Sequence, residues 1–465
     1  MSVINSCWKS LVKNIKVKTG WIIFKAIKDN FTLATFTLCL VLTCRAHAAS
    51  LPSDECLPDC TSSASHQPKS ASISLQDSIV SAISISPEMA EIRATMDVDT
   101  AKISESKGAW LPQVFVNGAS RDLVSSDNQD TESYGVSVSQ LLYDFGRTTN
   151  TIKQAETTAA ADTFRLQASL NTIAEKVTLL YVRANRYQKL IQVAEENIAS
   201  LRSVEKMATL RAGAGLSSSS DVLQAQTRAI AMQTSLEEFR YQHVLAMRQL
   251  AILTGINAVS LSSIPEVFNT PLVPFNTDDY DTLPAVKAAL TDKKSAEYGV
   301  DRAKAGHMPS VSLRADHSYG QNGSSSESSW DDHITVNVSV PLYQGGIVSS
   351  QIEQAQGDVL GAEARVNQEK MDAKQRIDSF HDDWVGAIAR KTNSEQQLKA
   401  ALKTREVYRN EYTLNARSLN DLLSVEQDVF QAEQAVTSAT FDVEQAAVSY
   451  SINTNTLLKQ LRIEP

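Results

Sequence analysis

The apolar and polar positions divide the chain into short alternating stretches and very long heptad tracts. From Leu166, the positions Leu170, Ile173, Val177, Leu180, Ala184, Tyr187, Ile191, Ala194, Ile198 and Leu201 follow at steps of 4, 3, 4, 3 through five heptads. That spacing holds a narrow stripe against a partner helix and predicts a coiled-coil seam. A second seam runs through Val222, Ala225, Ala229, Met232, Leu236, Phe239, His243, Ala246, Leu250 and Leu253. Gly213-Ala214-Gly215-Leu216-Ser217 lies between them, with glycine to end one helix and serine to cap the next, so the pair reads as an antiparallel helical hairpin. A helix from Thr148 to Leu210 reaches about 95 Å at 1.5 Å per residue, more than a compact domain needs. Ile377, Phe380 and Trp384, then Val425, Val429, Ala432, Val436, Ala439 and Val443, mark the same arrangement again. Alanine in the seams permits close approach, and the polar remainder leaves the other face to solvent or to a water-filled lumen.

The alternating stretches precede each long helix. Ile334, Val336, Val338 and Val340 alternate with Thr335, Asn337 and Ser339, and Tyr134, Val136 and Val138 alternate with Gly135, Ser137 and Ser139. Weaker partners run from Pro112 to Arg121 and from Pro309 to Tyr319, so each stretch is one arm of a hairpin with a polar loop. Strands of about 10 residues with aromatic ends fit either a half-buried sheet or a transmembrane barrel, and the pattern alone leaves both open.

These elements recur in order. Pro87 and Pro112 match Pro284 and Pro309 at an offset of 197, and Leu142-Tyr143, Gly146, Gln154-Ala155 and Asp221 match Leu342-Tyr343, Gly346, Gln354-Ala355 and Asp421 at an offset of 200. The chain reads as two copies of one unit. The first spans 73–257 (a helix, a β-hairpin at 110–145 and a helical hairpin at 147–254), and the second spans 282–465 (a helix, a β-hairpin at 308–343 and a helical hairpin at 347–460). A linker at 258–281 carries Pro265, Pro271 and Pro274.

Composition narrows the function. Aromatics at 6% are too sparse for a base-stacking surface, and a net charge of −9 points away from phosphate-rich partners, so no nucleic-acid partner is expected. The N-terminus carries Lys9, Lys13, Lys16, Lys18, Lys25 and Lys28, an apolar run from Phe31 to Thr43, and Ala46-His47-Ala48. It reads as a secretory leader over 1–48, the run being shorter than the roughly 20 residues a spanning helix needs. Cys44 is an alternative lipid-attachment site, in the poor context Val41-Leu42-Thr43. Cleavage removes six lysines and Arg45 against Asp29, a change of −6 that takes the net charge from −9 to −15. Cys7, Cys39 and Cys44 leave with the leader, and Cys56 and Cys60 remain as a candidate disulfide in an oxidising compartment, within a Ser/Pro-rich arm at 49–72. The C-x-x-x-C spacing leaves such a bridge little slack. No metal site is expected: His66 beside the cysteines lacks a fourth ligand, and His243 on its seam lacks a second His or Cys at ligand spacing. No phosphate loop, nucleophile elbow or spaced carboxylate pair is found, so neither an enzyme nor a cofactor is expected.

The leader, the acidic mature chain, the duplicated units, Leu-Tyr-Asp-Phe-Gly at 142–146, Leu-Tyr-Gln-Gly-Gly at 342–346, and Gly215-Leu216 with Asp221 together resemble the TolC-like outer-membrane efflux proteins, over nearly the whole chain from Leu75. The resemblance implies an α+β membrane protein. Three chains each give four strands to one shared transmembrane β-barrel in the outer-membrane lipid, continued by a long antiparallel coiled-coil α-helical tunnel in the periplasm. Two hairpins cannot close a barrel alone, and an open sheet edge in lipid leaves backbone groups unsatisfied. The resemblance further implies a homotrimer working with a periplasmic adaptor and an inner-membrane ABC exporter or proton-driven pump. It places a periplasmic gate at the helical-hairpin turns, at the positions of Asp221, Tyr412, Arg417 and Asp421. Arg417 is expected to pair with Asp221, and three copies of Asp421 would make a cation-attracting ring. Ser424 stands where some relatives carry a second aspartate. The residues themselves offer another reading, since Ser218-x-x-Asp221 and Ser418-x-x-Asp421 are variants of the helix-start capping box. Tyr143, Gly146, Tyr343 and Gly346 mark the barrel–helix junction, where glycine permits the bend and tyrosine suits an interface. The expected function is the exit duct of a tripartite export machine. Type I protein secretion is preferred from the Leu-Tyr-Asp-Phe-Gly-Arg stretch and the non-lipidated N-terminus; the alternatives are small-molecule efflux and, more distantly, a periplasmic adaptor without a pore.

Overall fold

The computed structural model describes residues 72–120, 132–264, 268, 272–321 and 328–463. The leader, Cys56 and Cys60 lie outside the described residues. The first half contains α1 (Leu75–Ile85), α2 (Pro87–Gly108), β1 (Gln113–Ser120), β2 (Glu132–Tyr143), α3 (Arg147–Gly213) and α4 (Ser219–Thr254). The second contains α5 (Pro284–Lys304), β3 (Ser310–Gln321), β4 (Ser328–Ser339), α6 (Ile347–Thr413), α7 (Leu419–Asn453) and the short α8 (Leu457–Gln460). Proline stands at the first turn of both α2 and α5, where its missing N–H has no helical partner to lose. α3 and α6 each have 67 residues, about 100 Å of helix, and they begin 200 residues apart.

The helices form one layer in the order α4, α3, α7, α6, with α5 bridging α3 and α6. None of the seam residues on α3 and α4 is exposed; Val177, Ala184, Ala194 and Ala225 are fully buried. Each fully buried Val or Leu of such a seam contributes roughly 1.5–3 kcal/mol, and alanine lets the helices approach for the rest of the packing. His243, the polar residue on the second seam, brings Nδ1 to 3.0 Å from the Ala184 carbonyl across the hairpin, so it is spent on a backbone contact. At mid-length, the Tyr181 hydroxyl donates to the Ile73 carbonyl (3.1 Å) and the Ser262 carbonyl (2.7 Å), fixing the start of the fold to the inter-repeat linker. Burial pushes this phenol up to about 12. Among the described residues, no helix is long and apolar enough to cross a membrane.

The two β-hairpins join into a single antiparallel sheet in the order β1-β2-β3-β4. β2 and β3 pair from Tyr134↔Tyr319 to Tyr143↔Val311, and a Cβ on Gly135 would stand 2.8 Å from the His317 carbonyl oxygen, so only glycine admits this approach. β1 and β4 are paired on one side only. One face carries Val114, Val116, Val136, Val138, Leu313, Ala315, Ile334, Val336 and Val338 in register; the other carries Asn117, Ser137, Ser139, Ser312, Arg314, Asp316, Thr335 and Asn337. Tyr134, Tyr319 and Trp330 cluster at one end of the apolar face, with ring centroids 5.2 to 5.8 Å apart. At the other end stand Tyr143, packed edge-on against Phe145 at 4.7 Å, and Tyr343, which is 87% exposed. An apolar band between two aromatic rows, with a polar reverse face, is the pattern of a strand that meets lipid on one side and water on the other.

Candidate functional site: the helical-hairpin turns

The sheet enters each long helix through a left-handed glycine, Gly146 (φ 96°) and Gly346 (φ 82°). The preceding position is left-handed as well, filled by Phe145 (φ 53°) in the first half and by Gly345 (φ 60°) in the second. The first junction offsets the strain of its phenylalanine with Asp144, whose carboxylate accepts the Thr148 N–H at 2.6 Å and the Gly146 N–H at 3.3 Å. Tyr143 and Tyr343 therefore sit at the mouth of a rigid bend, and both are exposed.

At the far end of α3 and α6, two turns of the same form reverse the chain. Leu216 N–H donates to the Arg211 carbonyl and Ala416 N–H to the Glu411 carbonyl, each at 2.8 Å, closing the last turn of its helix through Gly215 (φ 70°) or Asn415 (φ 61°). A small core lies directly behind them, built from Leu201, Val204, Ala208, Ala225, Tyr412, Leu419, Leu422 and Leu423, so the two turns are packed side by side.

The four residues expected at this gate take different positions. Asp421 completes a capping box: its backbone N–H donates to Ser418 Oγ at 3.2 Å, and its carboxylate accepts the Ser418 N–H at 3.3 Å. Asp221 does not, because the Ser218 side chain is taken by the Ser220 N–H at 3.2 Å. Arg417 does not reach Asp221 within the chain. Its Nε donates to the Glu411 carboxylate at 2.9 Å and its guanidinium lies 4.4 Å from the Tyr408 ring centre, because the short turn folds the side chain back onto its own hairpin. Tyr412 is buried, and its hydroxyl has no hydrogen-bond partner among the described residues. Burial raises its pKa and the nearby Asp221 adds to the shift, while the Arg211 charge opposes it. Ser424 is exposed on α7.

Two groups that the sequence did not single out bridge the hairpins near the turns, beside the pairs Arg228–Gln427 (3.2 Å) and Arg186–Asp442 (3.1 Å). Arg211, on the last turn of α3, donates from Nη1 to the Tyr412 carbonyl (2.9 Å) and the Thr413 carbonyl (3.3 Å), and from Nη2 to Asn415 Oδ1 (2.6 Å), with its guanidinium 4.7 Å from the Tyr412 ring centre. Deeper in, the fully buried Glu426 of α7 accepts Arg409 Nη2 at 2.8 Å and the Ser200 hydroxyl at 2.7 Å, while Asn197 Nδ2 donates to its backbone carbonyl at 3.3 Å. Arg405 stands 3.7 Å from the same carboxylate. The signal for both lay in the duplication: position 411 holds glutamate where 211 holds arginine, and Thr209 and Gln226 stand where the second copy has Arg409 and Glu426.

The family described as "Outer membrane efflux protein" matches residues 78–256 and again residues 282–449. TolC of Salmonella enteritidis, an outer membrane protein, is 23% identical over 408 residues, covering 79% of each chain. The outer membrane efflux protein BepC of Brucella suis is 22% identical over 366 residues, covering 77% of this chain and 80% of its own. Among solved structures, the outer membrane protein VceC of Vibrio cholerae superimposes with a TM-score of 0.70 at 18% identity, covering 82% of this chain and 95% of that one, which is a likeness of fold. With its sheet banded for lipid and its helices extending into the periplasm, the chain belongs to the outer membrane efflux proteins, and it is a channel component of the outer membrane and not an enzyme.

Proposed function

We propose that three copies of this chain close one twelve-stranded barrel, the free edge of β4 in one copy pairing with that of β1 in the next, and that their helices enclose a duct through the periplasm. The observation that carries this reading is the sheet itself: an apolar band bounded by aromatic rows, with two unpaired edges that lipid cannot satisfy. The duplicated order of elements gives each copy two helical hairpins and hence six around the axis. The sequence carries no phosphate loop, and the partners of the duct are a periplasmic adaptor and an energised inner-membrane exporter, of the ABC or the proton-driven kind. The gate lies at the hairpin turns, with Asp221, Tyr412, Arg417 and Asp421 on them, and Arg417 meets Asp221 between neighbouring copies. Its cargo is protein, through type I secretion, a reading supported by Leu-Tyr-Asp-Phe-Gly-Arg at 142–147. Small-molecule efflux is the second reading, supported by the likeness to the outer membrane efflux protein of Brucella suis.

Outer-membrane fractions run without heating should contain a trimer that heating dissociates, and a soluble monomer would sink the duct. Mass spectrometry of the medium from cells with and without the gene separates the two cargoes. Loss of one or a few large proteins supports secretion, and an unchanged medium with raised drug accumulation supports efflux.

A further inference from the structure

The two turns have the same backbone and equivalent positions 200 residues apart, yet position 211 is arginine and position 411 is glutamate. Glu411 keeps to its own turn, holding Arg417. Arg211 leaves its turn and grips the other one at three acceptors, two of them carbonyls at the end of α6, where the helix dipole is negative. Its planar fork also covers the ring of the buried Tyr412. Among the described residues no cation of the second turn crosses to the first turn: Arg417 is held by its own hairpin, and the crossing of Arg409 to Ser200 at 3.0 Å lies farther along the helices.

We propose that Arg211 is the positioning residue that latches the two hairpin turns of one chain together, so that separating them, and widening the end of the duct, requires its release. This rests on the reading that the turns form the inner end of a duct. The latch is one-sided: the first hairpin carries the fork, and the second offers two backbone carbonyls, the Asn415 side chain and the Tyr412 ring. Arg417 and Glu411 pair with each other and take no part in it.

The test uses the full-length protein as a heat-dissociable trimer in planar bilayers, with hydrogen exchange on the same preparation. Arg211→Ala should raise single-channel conductance several-fold and speed exchange at the amides of both Leu216 and Ala416. Arg211→Lys should behave nearly like Arg211→Ala, because one ammonium cannot span the two carbonyls and Asn415. Asn415→Gly, which removes one bond while keeping the left-handed turn and serves if Arg211→Ala fails to assemble, should raise conductance to a smaller extent. Wild-type conductance and exchange in both Arg211→Ala and Asn415→Gly overturn the latch, and a rise confined to Arg417→Ala assigns closure to that residue instead. If no variant and no wild-type preparation conducts, the duct reading fails; the exchange rates at Leu216 and Ala416 still decide whether Arg211 holds the turns together.

Discussion

The two helical-hairpin turns share a backbone and have diverged in almost every side chain that leaves it. The first ends in Gly215, lacks a completed capping box and sends one arginine outward; the second ends in Asn415, closes its capping box and turns its charges back on itself. The second turn is thus finished locally, and the first is finished only by contact with the second. The same asymmetry continues inward, where Glu426 is fully buried in a network with Arg409 and Ser200, while its counterpart Gln226 makes one half-buried bond to Glu205 at 3.0 Å. Duplication supplies two equal scaffolds, and a handful of substitutions make one turn self-contained and the other dependent on its neighbour.

That contrast is most strongly broken at Glu426. Glu426→Gln leaves Arg409 and Arg405 without their carboxylate and should lower the free energy of local opening of the second hairpin by about 2–3 kcal/mol, below the value for a fully buried pair because both arginines are partly exposed. Hydrogen exchange over α7 reads this, and Gln226→Ala should change the first hairpin by less than about 1 kcal/mol. Next comes Glu444, which has a carboxylate oxygen without a partner among the described residues where the first copy has the exposed Val244. Burial raises its pKa from 4.5 to about 7, against the opposing charge of Lys391. The folded state then holds more protons than the unfolded one, so stability falls as pH rises from about 4.5 to 7 and is level above it; Glu444→Gln should abolish that slope in thermal melts.

Smaller effects belong to the caps. Ser418→Ala breaks a complete capping box and should cost about 1 kcal/mol at the start of α7, whereas Ser218→Ala should cost about half of that at the start of α4. Equal costs would contradict the claim that only the second turn is finished locally. The smallest effect is at Glu411: Glu411→Gln frees an exposed arginine and should leave the melting temperature unchanged, while altering conductance only where Arg417 then meets a neighbouring copy.

Much of this was legible in the chain. Heptad spacing depends on helix geometry alone, so the positions from Leu166 to Leu201 could be assigned to a buried stripe without knowing what would cover it. Alternation marked β2 and β4, and Leu-Tyr followed by glycine marked both junctions. The partner of Arg417 was not legible. Within the chain it is Glu411, six residues away, and the choice was made by the curl of a five-residue turn. Arg211 also escaped notice, since an arginine on the last turn of a helix is ordinary until another helix end is brought beside it.

By itself the sequence determined the local elements, their order and their repetition, because these follow from periodicities of 3.5 and 2 residues and from glycine and serine at helix ends. Only the tertiary structure decided that the two β-hairpins form one sheet with two open edges, that one Ser-x-x-Asp closes its box and the other does not, and that Arg211 crosses between the hairpins. The sheet and the Arg211 contact depend on the relative placement of residues roughly 180 to 200 positions apart, which no local pattern encodes, and the capping boxes differ by which N–H takes the serine side chain two or three residues on.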